Sequence, residues 1–284
     1  MLTVLQAIQK TTDYLAQKGI DSPRANAEIL LADILRCKRL NLYLMFDRPL
    51  TKDETEKYRE YLKRRAQFEP LQYITGTVDF FGMQFRVTPS VLIPRPETEI
   101  LVETIINSVD VKNKINILDI GSGSGNISIA LAKNIEHSFV TGVEISKEAI
   151  DVALSNLKMH SLEDKVKFIN ADILNDDLSK AGKFEVIVSN PPYISGSEFE
   201  NVQKEIKDFE PQIAVTDFGD GFLFYRVISK LAYKLLNPGG KLFFELGIHQ
   251  SEKVKDILSQ NNFTDIIIVK DYQDIDRVIY GIKK

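Results

Sequence analysis

The sequence predicts an α/β protein built on a doubly wound sheet, with a small N-terminal helical domain and a linking β-hairpin. Three observations carry this. From Ile115 onward, short apolar runs alternate with helical stretches, the pattern of strands stacked between helices. Before residue 70, apolar residues recur at helical spacing. Between the two lie short β-like runs split by glycines. The domains are therefore expected at 1–70 (helical), 71–88 (hairpin) and 89–284 (the sheet).

In the helical part, Leu5, Ile8, Thr12 and Leu15 mark a first helix ending near Gly19. Asp21-Ser22-Pro23 supplies a cap and a first-turn proline for a second helix carrying Ala27, Ile29, Leu30, Ile34 and Leu35. Thr51 and Glu54 have capping-box spacing and open a charged helix through Gln67. Past Pro70, residues 71–74, 78–81 and 84–87 read as β-like runs separated at Gly76 and at Gly82-Met83. Pro89, Pro94 and Pro96 hold the chain extended until a helix begins near Glu97. The sheet strands are expected at Ile115–Ile120, 139–143, 166–169, 185–189, 241–246, 263–269 and 277–280. Helices are expected at 127–133, from a Ser146 cap to about Met159, and at 222–236, the last ended by Asn237-Pro238-Gly239-Gly240. Residues 194–220 lack periodicity and are expected to form a lid, unless a helix lies within 197–208.

The 284 residues are 44% hydrophobic and 27% charged, an ordinary globular balance that excludes disordered and fibrous classes. The net charge of -4 gives no overall attraction for phosphate backbones, so no direct nucleic-acid substrate is expected. The first seventy residues carry +3 and the remainder -7. Arg64-Arg65 alone makes no nucleic-acid patch; a solvated helical face accounts for the charge. A single cysteine, Cys37, excludes an internal disulfide, and three histidines leave little for a metal centre, so none is expected. No run approaches the roughly 18 apolar residues of a membrane span. A soluble, cytoplasmic monomer without membrane partners is expected.

Two constellations carry chemistry. Gly121-Ser122-Gly123-Ser124-Gly125 follows a strand and opens a helix, where glycines let a ligand approach backbone N–H groups. The dinucleotide pattern G-x-G-x-x-G is broken at Asn126, and the spacing G-x-G-x-G is the form that cradles the amino-acid half of S-adenosylmethionine. Glu144, at the end of the second sheet strand, can accept both ribose hydroxyls; the alternative is an acid that caps the next helix. Asp172 can accept an adenine amino group while Ile173 packs on the ring; the alternative is an ordinary loop acid.

Asn190-Pro191-Pro192-Tyr193 ends the fourth sheet strand, which should lie beside the first. An amide nitrogen is a poor nucleophile because its lone pair is delocalised. The Asn190 side-chain oxygen and the Pro191 carbonyl can accept its two hydrogens, fix it in line with a methyl donor, and stabilise the charge that develops there. The prolines stiffen the loop, and Tyr193 offers a flat face to a planar group. No histidine base is required, because the nitrogen becomes acidic only as methyl transfer proceeds.

With these motifs, and with Pro70-Leu71-Gln72-Tyr73-Ile74-Thr75-Gly76, Leu92-Ile93-Pro94-Arg95-Pro96-Glu97-Thr98-Glu99, Glu210-Pro211, Asp220-Gly221, Tyr225-Arg226 and Asp276-Arg277-Val278, almost the whole chain resembles the release-factor glutamine methyltransferases. The family methylates the glutamine side-chain amide (N5) in the Gly-Gly-Gln motif of peptide chain release factors, in translation termination. The resemblance implies a Rossmann-like S-adenosylmethionine-dependent sheet that releases S-adenosylhomocysteine. It places the cofactor on Gly121, Ser122, Gly123, Ser124, Gly125, Glu144, Asp172 or Ile173, and Asn190. It places the glutamine on Asn190, Pro191, Pro192 and Tyr193, with Asn190, Pro191 and Tyr193 catalytic, and it implies a helical domain that grips the release factor. Two departures stand out. Val215 and Thr216 follow Ala214 where the family commonly has Ala-Leu after Glu-Pro, and Glu144 stands where many relatives carry aspartate. The competing readings are an adenine-N6 methyltransferase on DNA or RNA, which uses the same loop for a flipped base, a non-catalytic nucleotide-binding protein, and a nicotinamide dehydrogenase.

Overall fold

Residues 2–110 and 113–284 are described by a computed structural model of the chain; Met1, the first residue of the expected helical domain, lies outside them. The chain forms two compact units: residues 2–77 with Gln203–Phe209, and residues Val78–Val202 with Glu210–Lys284.

In the first unit, α1 (Val4–Gln17) opens on a capping box between Thr3 and Gln6. Its buried stripe is Val4, Ala7, Ile8, Thr11 and Leu15, so Leu5 and Thr12 sit on the margin of the stripe. The next helix, α2 (Pro23–Ile34), carries its expected first-turn proline, but Ser22 adopts φ 48° and makes no side-chain cap. Asn26 ties the turn before the helix to its first turn, donating Nδ2 to the carbonyls of Asp21 and Ser22 at 3.0 and 3.1 Å. The expected Thr51–Glu54 box opens α3 (Lys52–Arg65). Residues 71–74 correct the β reading: they form a short helix, α4 (Leu71–Thr75). Pro70 places its carbonyl to accept the N–H groups of Tyr73 and Ile74, and Gly76 ends the turn at φ 78°. Leu30, Leu31, Leu42, Leu50 and Tyr58 fill the core of this unit.

Next along the chain comes a two-stranded sheet, β1 (Thr77–Phe80) and β2 (Met83–Arg86), in the second unit except for Thr77. There follow α5 (Thr98–Ser108), β3 (Ile115–Ile120), α6 (Asn126–Asn134), β4 (Ser138–Glu144), α7 (Lys147–His160), β5 (Val166–Asn170) and β6 (Phe184–Ser189). The stretch expected to be aperiodic contains α8 (Gly196–Phe199) and α9 (Lys204–Phe209), so the helical alternative for 197–208 is the one realised. The chain closes with α10 (Leu223–Leu235), β7 (Leu236–Glu245), α11 (Ser251–Gln260), β8 (Phe263–Lys270) and β9 (Asp276–Lys283). Asn237-Pro238-Gly239-Gly240 does not simply end a helix: β7 begins at Leu236, and its register against β6 slips between Leu236 and Lys241, leaving these residues as an irregularity inside the strand.

Residues of α9 cluster with the first unit. Arg65, almost fully buried, donates to Asn26 Oδ1 at 2.6 Å, to the Glu69 carbonyl at 2.9 Å and to Glu205 Oε1 at 2.5 Å. Arg64 pairs with Glu69. Both arginines of the dipeptide are thus engaged in internal pairing.

The main sheet runs β5-β4-β3-β6-β7-β9-β8, parallel from β5 to β7, with β9 antiparallel to both β7 and β8. From β3 the chain winds outward through β4 to β5, then returns to lay β6 on the other side of β3. The crevice between β3 and β6 is therefore the topological switch point, where such sheets bind ligands. Strand alternation divides the core. Ile117, Val186, Val188 and Phe243 face one cluster with α5 and α6, while Leu118, Ile187, Leu242 and Phe244 face the other with α10 and α11. Leu118→Ala, at a fully buried site on the central strand, is expected to lower the unfolding free energy by about 2–5 kcal/mol in urea denaturation; unchanged stability would show that the central strand is not packed as described.

Candidate active site

A cavity of about 500 Å³ opens at the carboxyl ends of β3, β4, β5 and β6. Its wall includes Gly121, Gly123, Glu144, Asp172, Ile173, Asn190, Pro191 and Pro192. The structure thus brings together most of the residues singled out from the sequence. Ser122, Ser124 and Gly125 are buried behind the loop, and Tyr193 is not part of the wall.

The glycine turn is fixed from beneath. The N–H groups of Gly121 and Ser122 both donate to the Val143 carbonyl, at 2.9 and 3.1 Å. Gly123 adopts φ 52°, and a Cβ built there meets no protein atom within 4 Å, so its absence keeps open the side from which a ligand approaches. Gly125 is constrained by packing as well: at φ 79° an added Cβ would lie 2.9 Å from Phe168 Cζ. Directly behind the turn, Asp119 is fully buried on β3 and accepts from Ser128 Oγ at 2.6 Å, while its Oδ1 has no partner. Burial pushes its carboxyl up to about 7.

Glu144 spans the cavity rim. Its Oε2 accepts the Gly123 N–H at 2.9 Å and its Oε1 accepts the Ser146 N–H at 3.0 Å. The capping alternative is therefore partly realised, yet the carboxylate also reaches the glycine turn and lines the cavity. Ser146 itself caps α7 through the Ala149 N–H. Asp172 holds its own turn, accepting from the Leu174 N–H and Asn175 Nδ2 at 2.8 and 2.7 Å. A carboxylate has lone pairs beyond these two bonds, so the loop-acid and adenine-accepting roles are compatible. Ile173 lines the cavity and packs against the core beneath it.

Asn190 extends β6, which Ser189 Oγ ties to β3 by donating to the Ile120 carbonyl at 2.7 Å. Its Nδ2 donates to Thr98 Oγ1 at 3.3 Å. Tyr193 is packed against the core, where burial raises its hydroxyl above the ordinary tyrosine range. Its carbonyl accepts from Gln250 Nε2 at 2.9 Å, and Gln250 Oε1 in turn accepts from the Tyr225 hydroxyl and the Gly247 N–H. These bonds anchor the main chain of the loop from behind. The far wall comes from Asp217 and Phe218 with Leu223 and Phe224. Asp217 binds the N–H groups of Gly219, Gly221 and Leu223.

Several functional candidates escape a reading of the sequence: Asp119, Thr98, Asp217, Glu245 and Gln250. Two of them carry a readable signal, an acid at or next to the end of an apolar strand in Ile117-Leu118-Asp119 and in Phe243-Phe244-Glu245. Among the described residues, no group of three or more His, Cys, Asp or Glu side chains could hold a metal, and no helix is long and apolar enough to cross a membrane.

A family model described as the methyltransferase small domain matches residues 96–209, and one described as the PrmC N-terminal domain matches residues 6–76. A methyltransferase from Pyrococcus furiosus shares the fold at a TM-score of 0.51 and 18% identity, with 82% of this chain and 99% of that one covered. The 16S rRNA N2 G1207 methyltransferase of T. thermophilus, solved with AdoMet and guanosine, gives a TM-score of 0.53 at 18% identity, covering 73% and 50%. Sheet order, switch-point cavity and glycine turn define a Rossmann-like methyltransferase. A release factor glutamine methyltransferase from Fusobacterium nucleatum is 43% identical over 280 residues, covering 98% of this chain and 78% of its own. One from Geobacter sulfurreducens is 42% identical over 282 residues, covering 98% and 96%. The chain belongs to the release factor glutamine methyltransferase family.

Asp119 provides a test of the packing behind the turn. Its carboxyl moves from an ordinary 3.8 to about 7 on folding. Between those values the folded state keeps a proton that the unfolded chain has released, so this group's contribution to stability falls as pH rises through the window. The stability of Asp119→Asn relative to the unmodified protein is expected to improve steadily from pH 4 to pH 7 in urea titrations. A difference that stays flat across the window would place Asp119 in contact with solvent.

Proposed function

We propose that this protein transfers a methyl group from S-adenosylmethionine to the side-chain amide nitrogen of a glutamine in the Gly-Gly-Gln motif of peptide chain release factors, acting in translation termination. The observation that carries this reading is the position of Asn190-Pro191-Pro192 at the switch-point cavity, beside a glycine turn open to a ligand.

The cavity fits the cofactor. Its volume is in the range that holds a nucleoside-sized ligand. Gly121 and Gly123 have open space where a Cβ would stand, Glu144 lies at the rim to take the ribose hydroxyls, and Asp172 with Ile173 flanks the position for adenine. When bound, S-adenosylmethionine supplies a methyl group on a positively charged sulfur. Asn190 Oδ1 and the Pro191 carbonyl accept the two hydrogens of the glutamine amide, aiming its nitrogen along the line of attack. On methyl transfer positive charge would grow on that nitrogen, and the same two oxygens would stabilise it. The methylated nitrogen would then give up one proton to solvent, with S-adenosylhomocysteine as the leaving group.

The helical unit is assigned to grip the release factor. Leu40, Tyr43 and Leu44 stand exposed on the turn Arg39–Leu44, an apolar surface suited to a protein partner. The net charge of -4 favours a protein over a nucleic-acid substrate.

Incubation with methyl-labelled S-adenosylmethionine is expected to label release factor and not nucleic acid; label on nucleic acid alone would overturn the proposal. Asn190→Ala is expected to lower kcat by on the order of a hundredfold while changing cofactor affinity little, because its oxygen acts chiefly in the transition state. Glu144→Ala is expected to do the reverse, weakening S-adenosylmethionine binding by about tenfold in calorimetry through loss of the ribose contact. Unaltered binding would remove Glu144 from the cofactor site.

A further inference from the structure

We propose that Thr98 and Glu245 are positioning residues that fix which end of the Asn190 side-chain amide faces the acceptor nitrogen. This deepens the proposed glutamine methylation and rests on it.

The inference starts from strand register. Ser189 on β6 pairs with Phe244 on β7, so the next positions along the two parallel strands are Asn190 and Glu245. Val186 and Val188 face the α5 side of the sheet, as does Phe243, and alternation sends Asn190 and Glu245 to that same side. Thr98, the first residue of α5, meets both there. Thr98 and Glu245 are each 2% exposed. The Thr98 side chain stands beside the Glu245 carboxylate and helps to hold its charge, and Thr98 Oγ1 accepts a hydrogen bond from Asn190 Nδ2 at 3.3 Å.

Directionality follows from the chemistry of the three groups. An ionised carboxylate only accepts hydrogen bonds, so in the proposed relay the Thr98 hydroxyl spends its single hydrogen on the neighbouring Glu245. Its oxygen is then left to accept, and the group it accepts from must be the NH2 end of Asn190. Oδ1 is thereby turned toward the cavity as an acceptor, the orientation an acceptor amide needs. Without the relay, the two ends of the Asn190 amide differ little in shape, and the side chain is free to present a donor where an acceptor is required.

Glu245 is placed to make this sensitive to protonation. Its Oε2 is buried without a partner, and burial pushes the carboxyl up to about 7. Around it lie the positive charges of Arg277 on β9 and Arg95, the negative charge of Glu97 beside Thr98, and the hydroxyls of Tyr193 and Tyr225. Arg277 is shared with Asp271 and the Leu246 carbonyl, and Arg95 is paired with Glu210. Neither arginine therefore neutralises Glu245 by a direct bond. A protonated Glu245 can donate to Thr98, free the hydroxyl hydrogen for Asn190 Oδ1, and reverse the amide.

The same contacts explain the run Arg95-Pro96-Glu97-Thr98-Glu99. Arg95 binds Glu210, Glu99 accepts the Phe81 N–H at 2.9 Å, and the two together hold the start of α5 where Thr98 can reach both strand ends.

The test uses the intact protein with ¹⁵N-labelled asparagine and a glutamine-bearing release-factor substrate. The Asn190 side-chain amide resonance is expected to shift with pH about a midpoint near 7, and this shift should vanish in Glu245→Gln. Thr98→Val should lower kcat by on the order of tenfold with KM and S-adenosylhomocysteine affinity retained, and Thr98→Ser should restore it. A pH-independent Asn190 resonance, or equal kcat for Thr98→Val and the unmodified protein, would overturn the relay. So would loss of kcat, cofactor affinity and thermal stability together in Thr98→Val without rescue by serine, which marks a merely structural threonine. An unmodified protein that leaves glutamine unmethylated but shows the titrating resonance would sink the proposed reaction and leave the relay standing.

Discussion

The parallel pairing of β3 between β4 and β6 is the constraint on which the site depends. Residues Ile115–Ile120 align in register with residues 138–143, and residues 117–120 with residues 186–189, so three strands end at one level. The reversal of winding at β3 leaves a crevice at those ends that helices do not cover. The glycine turn leaves β3, Glu144 ends β4, Asp172 follows β5 and Asn190 follows β6. None of these residues is near another in sequence, yet the sheet brings them to one cavity. Backbone hydrogen bonds of the ladder fix their spacing, so the site inherits the rigidity of the sheet.

The same geometry creates a difficulty that the molecule resolves with side chains. Strand ends leave polar groups close to a dry interior, and two acids, Asp119 and Glu245, are fully enclosed there. Each keeps one oxygen unpaired and each has its carboxyl raised toward neutrality by burial. Such groups cost stability, and proteins retain them where position matters more than packing. Asp119 sits behind the glycine turn and accepts from Ser128, and Glu245 lies beside Thr98 at the end of the neighbouring strand. Tyr225, Gln250 and Tyr193 complete the support behind the acceptor loop.

The chain encodes the cavity-facing motifs within short windows, which is why they are legible in the amino-acid sequence. Gly121 to Gly125 needs positive φ angles and an open approach, and only glycine supplies both. Asn190-Pro191-Pro192 is a compact chemical unit after an apolar strand. The features that the sequence hides depend on long-range register. Glu245 comes beside Asn190 through the pairing of β6 with β7, and nothing local to Phe243-Phe244-Glu245 reveals the nearby Thr98, which lies far earlier in the chain. Leu71-Gln72-Tyr73-Ile74 alternates like a strand, but Pro70 and Gly76 bracket it as a single helical turn. The stripe Val254, Ile257 and Leu258 of α11 is short, and its burial follows only once the helix is stacked on β8 and α10.

Asn190 and Pro191 as paired acceptors at the mouth of the cofactor cavity form the centre of the proposed chemistry. A crystal structure of the protein with S-adenosylhomocysteine and a glutamine-bearing release-factor fragment tests this directly. The glutamine side-chain nitrogen is expected within hydrogen-bond distance of both Asn190 Oδ1 and the Pro191 carbonyl, facing the sulfur of the bound nucleoside. A glutamine seated elsewhere, or a nucleoside bound away from Gly121, Gly123 and Glu144, would contradict it.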